Sequence, residues 1–340
     1  MKNSFRVTID KIFTKAKKLN VIVVGDSMLD SYKIGSVTRQ SPEADVPIVN
    51  IEKKSKKLGG AANVILNLKQ LGVNPILCSV IGDDESGREI ISLLKKNNLD
   101  TGGIIIDNSR KTTVKERVIV KKNHILRIDE EIKENLNDKV RKKLLKKIES
   151  YIENSDILIF QDYNKGVIDK KLLKAISYMK KIFISVDPKI KNFNEFKNID
   201  LFKPNSKEIS SALDIKNPTV KNLEVIGKKF MKKNLIDNLM ITLSEKGILI
   251  ITKQSVSKFE IYESEIVDVS GAGDAIISLA SILFYLNLPH KFIGKICNVA
   301  GGIVCMHSGV KAIDCKELIK KAKRYKLDLY LWELNYRSWI

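Results

Sequence analysis

The sequence predicts an α/β protein: a doubly wound, mostly parallel sheet with helices on both faces. Three observations lead there. Short β-branched runs alternate with helical patterns along the chain, the signature of successive strand and crossover-helix units. With 340 residues, 44% of them hydrophobic, the chain is long enough for one large α/β domain or two smaller ones. Asp26, Asp162, Asp187 and Asn205 each fall just after a strand-like run, where open α/β sheets collect ligands.

The elements follow in order. Residues 21–24 are a β-branched strand, and 61–71 a helix that leads into the strand 76–81. A helix over 86–97 and another over 137–152 precede the strand 157–160; within 140–148, apolar positions recur among lysines at helical spacing. Helix 169–180, strand 182–186, helix 219–233 and strand 239–243 continue the alternation. The apolar run 275–284, punctuated by Ala and Ser, reads as a buried helix. Two stretches break the rhythm: 31–58 and 111–128 are rich in β-formers and polar residues without helical period, so they read as strands inserted into the core. No long linker or internal repeat divides the chain.

Charge narrows the partners. Sixty Lys and Arg against forty Asp and Glu give a net charge of +20, which suits nucleic acid, an acidic surface or phosphorylated metabolites. The lysines are spread over helix faces, with no binding motif or aromatic-basic stripe, so no nucleic-acid partner is expected. Cys78, Cys297, Cys305 and Cys315 form no C-x-x-C pair and read as buried free thiols. The three histidines form no metal constellation. Lys, Arg and Asp are mixed through the first nineteen residues, and the longest apolar run is short of the roughly 20 residues a membrane span needs, so a cytoplasmic protein without membrane attachment is expected.

The densest chemistry lies in Asp268-Val269-Ser270-Gly271-Ala272-Gly273-Asp274. Gly-rich backbone at a helix start can aim free N–H groups at a phosphate, and the helix dipole adds partial positive charge. Asp274 beside that anion hole is placed to take a proton from an attacking hydroxyl. Alone, the same residues also read as a glycine turn and a dipole-complementing acid. Lys203-Pro204-Asn205-Ser206-Lys207-Glu208 reads equally as a capped helix start. No G-x-x-x-x-G-K-S/T sequence supports a P-loop NTPase.

The motif 268–274, together with Gly59-Gly60-Ala61-Ala62-Asn63, resembles the ribokinase-like (PfkB) family of carbohydrate kinases. Residues 24–32 and Ser41-Pro42-Glu43-Ala44-Asp45-Val46-Pro47-Ile48-Val49 are similar to the heptose-phosphate kinases of lipopolysaccharide-core synthesis within it. The resemblance runs from about 20 to about 320, with Asp45 in place of the usual proline and Ser270 in place of the commoner threonine. It implies a ribokinase-like kinase domain over 1–325, with 31–58 and 111–128 forming a small β lid, and a tail over 326–340.

Further expectations come with the resemblance. Asp274 would be the catalytic base, with the Gly271, Ala272 and Gly273 amides stabilising the transferring phosphoryl group. Asn205, Ser206, Lys207 and Glu208 match the N-x-x-E segment near ATP, Glu208 organising Mg2+ through water; Ser244, Gly247 and Asn298 match nucleotide-side positions. Asp30, Gly59, Gly60 and Asn63 match the sugar site, and Arg117, Arg127, Lys165 and Lys189 are cation candidates for a phosphorylated acceptor. The implied reaction is ATP-dependent phosphorylation of D-glycero-D-manno-heptose 7-phosphate at the anomeric hydroxyl, giving the 1,7-bisphosphate. Another sugar or nucleoside kinase, or a non-catalytic binding protein of the same fold, remain alternatives. A homodimer through the lid and a separate nucleotidyltransferase acting later complete the expected partners.

Overall fold

In the computed structural model, the described residues are 4–332 except 122, 180–181, 217, 263–265 and 328. Strand β1 (Ser4–Val7) and helix α1 (Ile9–Ala16) lead into β2 (Asn20–Gly25). The chain then leaves the core as a long hairpin, β3 (Ser27–Gln40) and β4 (Pro47–Gly60), and returns through α2 (Ala61–Gln70), β5 (Asn74–Gly82), α3 (Glu85–Lys96) and β6 (Ile104–Asp107). A second excursion, β7 (Thr113–Val120) and β8 (Asn123–Glu130), precedes α4 (Asp138–Ile152), β9 (Ile157–Gln161), α5 (Lys170–Ile176), β10 (Phe183–Asp187) and β11 (Ile199–Phe202). Next come α6 (Ser206–Ala212), α7 (Val220–Asn234), β12 (Ile236–Thr242), β13 (Ile248–Thr252) and β14 (Val256–Phe259). The described chain closes with α8 (Ala272–Tyr285), α9 (His290–Cys305), α10 (Cys315–Arg324) and β15 (Leu329–Trp332).

Nine strands form one sheet in the order β14-β13-β12-β11-β10-β9-β2-β5-β6. From β12 to β6 every pairing is parallel; β13 and β14 are added antiparallel. The expected α/β class is thus the observed one. Alternation along β2 explains the two cores: Val21 and Val23 point to the side of α2, α8 and α9, whereas Ile22 and Val24 join the residues of α4, α5 and α7. Both faces are therefore apolar, as a covered parallel sheet requires. Side-chain caps start the helices where the sequence changes period: Asp84 for α3, Asn137 for α4, Asp169 for α5 and Thr219 for α7. Among the described residues no helix is long and apolar enough to cross a membrane.

The excursions pair with each other rather than with the core. They form a four-stranded sheet ordered β4-β3-β7-β8, rooted where Ser27 faces Gly60 and Met28 faces Gly59. Strand β15 pairs antiparallel with β1, and residues 333–340 of the expected tail lie outside the described residues.

The sheet order changes direction at β2, which has β9 on one side and β5 on the other, so a crevice opens at their carboxyl ends. There Gly25 lies opposite Gln161, and a Cβ at Gly25 would sit 2.0 Å from the Gln161 carbonyl oxygen. Gly25→Ala should push β2 and β9 apart and destabilise the protein by about 2 kcal/mol or more, read as a lowered denaturant midpoint.

Candidate active site

Four sequence-distant segments converge on the carboxyl edge of the sheet. Asp26, after β2, is almost fully buried, and burial raises its pKa. Its carboxylate accepts backbone N–H bonds from Tyr163 (2.8 Å), Lys165 (3.1 Å) and Val167 (3.0 Å), fixing the loop after β9. Asp162 in that loop is pushed up to about 7 by burial and by neighbouring Asp26; it accepts from Asn164 N and Asn192 Nδ2. Both acids therefore hold the loop in shape.

The loop delivers two side chains to Asp274, the third residue of α8. Tyr163 Oη donates to Asp274 Oδ1 at 2.8 Å, and Gln161 Nε2 donates to the same oxygen at 3.0 Å. Asn63 Nδ2, from α2, donates to Oδ2 at 2.7 Å. Burial is the main reason the Asp274 carboxyl is raised to about 6; the Asn63 and Tyr163 hydrogen bonds and Lys203 pull it down, and Asp187 pushes it up. With that value it is largely ionised at neutral pH, the form able to accept a proton.

Gly271 caps α8 with φ 83°, a left-handed conformation that glycine adopts without a Cβ penalty. Ala272 N bonds Val269 O at 3.3 Å, while the Gly273 and Asp274 amides have no acceptor among the described residues. Of the three expected anion-hole donors, Ala272 is thus already engaged, whereas Gly271 N, like Gly273 N and Asp274 N, has no acceptor among the described residues. A Cβ at Gly273 would stand 3.7 Å from Lys203 Nζ and 3.8 Å from Asp187 Oδ2. The free amides therefore open beside the buried Lys203–Asp187 pair, itself 2.9 Å long.

A cavity of about 300 Å3 begins at this point. Its polar lining includes Lys189, Lys203, Asp187, Asn205 and Glu208, and its apolar lining Ile248, Ile261, Ile266 and Ile276. Ser244, Gly247 and Asn298 also line it, so the expected nucleotide-side residues meet in one place. Asn298 is turned to structure, its Nδ2 donating to Phe259 O and Glu260 O. Asn205 and Glu208 form a capping box: Asn205 Oδ1 accepts from Glu208 N and Glu208 Oε2 from Asn205 N. Glu208 also pairs with Lys189. Burial alone would lower the Lys189 pKa, but Asp187 and Glu208 hold it above its ordinary value. Lys189 therefore belongs to this cavity rather than to a cluster with the other cation candidates. Ser206 and Lys207 follow Asn205 in the first turn of α6 and are not among the residues that line the cavity.

The remaining candidates lie toward the lid. Asp30 accepts from Arg117 Nη1 at 2.5 Å, and burial raises its pKa despite that partner. A Cβ at Gly59 would lie 2.2 Å from Asp30 Oδ2, and one at Gly60 2.3 Å from Asp26 O, so both positions are too close for a side chain. Asn63 donates to Asp274 rather than facing Asp30 alone on the lid side. Lys165 Nζ pairs with Glu131 at 2.5 Å, and Arg127, more than half exposed, pairs with Asp129. Sequence reasoning places Asp187 at a ligand-collecting strand end but gives it no role, and it misses Gln161, Tyr163 and Lys203, whose only signal is their place at or just after strand ends.

The pfkB family carbohydrate kinase profile matches residues 18–315. The chain belongs to the pfkB family of carbohydrate kinases. It is 36% identical over 301 residues to the bifunctional protein HldE of Helicobacter acinonychis, covering 88% of this chain and 65% of that protein. To HldE of Aliarcobacter butzleri it is 38% identical over 294 residues, covering 85% and 61% respectively. The chain thus spans less than two thirds of these relatives' length. Escherichia coli phosphofructokinase-2, solved with substrates and products, shares the fold with a TM-score of 0.77 at 18% identity, over 91% of this chain and 99% of that one. A putative ribokinase from Agrobacterium tumefaciens shares it with a TM-score of 0.69 at 16% identity, over 91% and 99%. The protein is therefore a sugar kinase of a family that uses ATP.

Gly271→Ala should cost about 1–2 kcal/mol through its left-handed backbone alone. The new Cβ would also press on Asn63 Nδ2 at 3.2 Å. Turnover should fall about tenfold or more, because both Asp274 and the free amides shift; steady-state kinetics beside a melting curve would show it.

Proposed function

We propose that this chain transfers the γ-phosphoryl group of ATP to the anomeric hydroxyl of D-glycero-D-manno-heptose 7-phosphate, giving the 1,7-bisphosphate and ADP. The observation that carries the chemistry is the buried Asp274 carboxylate, held by three donors at the start of α8 beside free amides and a cation-lined cavity. The substrate assignment rests on the similarity of residues 41–49 to heptose-phosphate kinases and on the resemblance to HldE.

In this reading the apolar wall of the cavity takes the adenine, and Lys189, Lys203 and the Gly273 and Asp274 amides face the phosphates. Asp274 takes the acceptor's proton as the acceptor oxygen bonds to phosphorus and the bond to the ADP oxygen breaks. No group of three or more acids, histidines or cysteines able to hold a metal occurs among the described residues. That fits Mg2+ bound mainly by ATP phosphates and water, with Glu208 acting through water. The ion would neutralise charge on the transferring group. Gly271 shapes the turn that presents the amides.

Asp30, on the root of the lid, reads sugar hydroxyls with Gly59 and Gly60 allowing close approach. Among the described residues, the four cations Lys115, Arg127, Lys133 and Lys165 pair with two acids, Asp129 and Glu131. That surplus of positive charge favours a phosphorylated acceptor. A cytoplasmic enzyme with a lid-mediated homodimer, and a nucleotidyltransferase acting on its product, are consistent with this assignment.

With Mg2+ and ATP, heptose 7-phosphate should drive ADP release, while ribose, fructose, fructose 6-phosphate and adenosine should not. Asp274→Asn should reduce that turnover by about a thousandfold. Preferential turnover of another acceptor would keep the kinase and remove the heptose assignment.

A further inference from the structure

We infer that Asp274 accepts the proton on Oδ2, and that Tyr163 and Gln161 are positioning residues that hold Oδ1 out of the reaction. The inference rests on the reading of Asp274 as the base. An ionised carboxylate oxygen offers two in-plane lone pairs. Both on Oδ1 are filled, by Tyr163 Oη at 2.8 Å and Gln161 Nε2 at 3.0 Å. Among the described residues, Oδ2 receives one donor, Asn63 Nδ2 at 2.7 Å, which leaves one lone pair open.

The sides of the carboxylate differ accordingly. Tyr163 lines the nucleotide-side cavity, so the saturated oxygen is the one tied to that side. Asn63 belongs to α2, which starts directly after Gly59 and Gly60 at the root of the lid, beside Asp30. The open lone pair lies on the oxygen tied to the acceptor side, where a hydroxyl proton would arrive. In the transfer, the acceptor O–H proton moves to Oδ2 as the O–P bond forms and ADP leaves.

Tyr163 is built to stay a donor. Its backbone N–H is held by Asp26, Lys189 Nζ lies 5.1 Å from its ring centre, and burial holds its phenol well above the ordinary range. Gln161 Nε2 also reaches Asp187 Oδ2 at 3.3 Å, so one amide nitrogen bridges two carboxylates and its orientation is fixed by both. Charged and titratable groups facing Asp274 are Asp187, Lys203 and Lys189, with Tyr163 itself in contact; Asp30 acts on Tyr163.

A hydrogen bond to the ionised form lowers a carboxyl's pKa, so removing it raises the pKa and activity is lost earlier as pH falls. The experiment is kcat against pH for the wild type, Tyr163→Phe, Gln161→Met and Asp274→Asn, with ATP and the best acceptor. Tyr163→Phe should move the acidic limb up by about one pH unit, lowering kcat about threefold near pH 6.5 and approaching tenfold below about pH 5.5, with both KM values within about twofold. Gln161→Met should move the limb the same way. An unmoved limb in both, or a raised acceptor KM at unchanged kcat, overturns the positioning role. Turnover retained by Asp274→Asn removes the base assignment itself, and the inference with it.

Discussion

The surroundings of Asp274 depend on one buried carboxylate on a different strand end, that of Asp26. Asp26 gathers three backbone N–H groups from residues 163–167, and that loop has no regular secondary structure to stabilise it. Burying a carboxylate is unfavourable by several kcal/mol unless its lone pairs are satisfied, so the loop conformation and the acid are mutually required. Through the loop, Asp26 places Tyr163 against Asp274. Because Asp26 follows β2 and the loop follows β9, the central parallel pair of the sheet sets the position of Tyr163 against Asp274.

Around this anchor, acids and cations are matched so that little charge is left bare on the nucleotide side. Lys203 answers Asp187, Lys189 answers Glu208, and Gln161 spans the gap between Asp187 and Asp274. Such a network is preorganised: each donor is held by a carboxylate within the protein, so its position is set before any ligand enters. The capping box at Asn205 and Glu208 shows how one pair can serve both readings open to it in the sequence, ending a helix and presenting an acid to the cavity.

The sequence carried the sheet well where strands are long and flanked by strongly periodic helices. β2, β5, β9 and the helices α2, α4 and α7 fall within a few residues of their expected places. It carried β13 poorly, since Ile248–Thr252 is a short, continuously apolar run that periodicity alone cannot distinguish from a buried helix segment. Site motifs at Asp274, Asn205 and Glu208 stood out because glycine turns and caps leave local patterns. Gln161, Tyr163 and Lys203 did not, because their roles arise only when separate strand ends meet. Asn63 shows the converse: its motif is visible, yet its partner, Asp274, lies 211 residues away.

The long hairpin of the lid has a mechanical consequence. Asp30 lies three residues beyond the root at Ser27, whereas Gln40 at the far end lies thirteen beyond it. The hairpin is therefore a lever in which, for any rotation about its root, Asp30 travels only about a quarter as far as the tip, given the near-constant rise per residue of a strand. Register irregularities between Ile34 and Gly35 and between Val37 and Arg39 place the bends in the outer part of that arm. Flexing of the distal strands is thus geometrically decoupled from the carboxylate near the fulcrum.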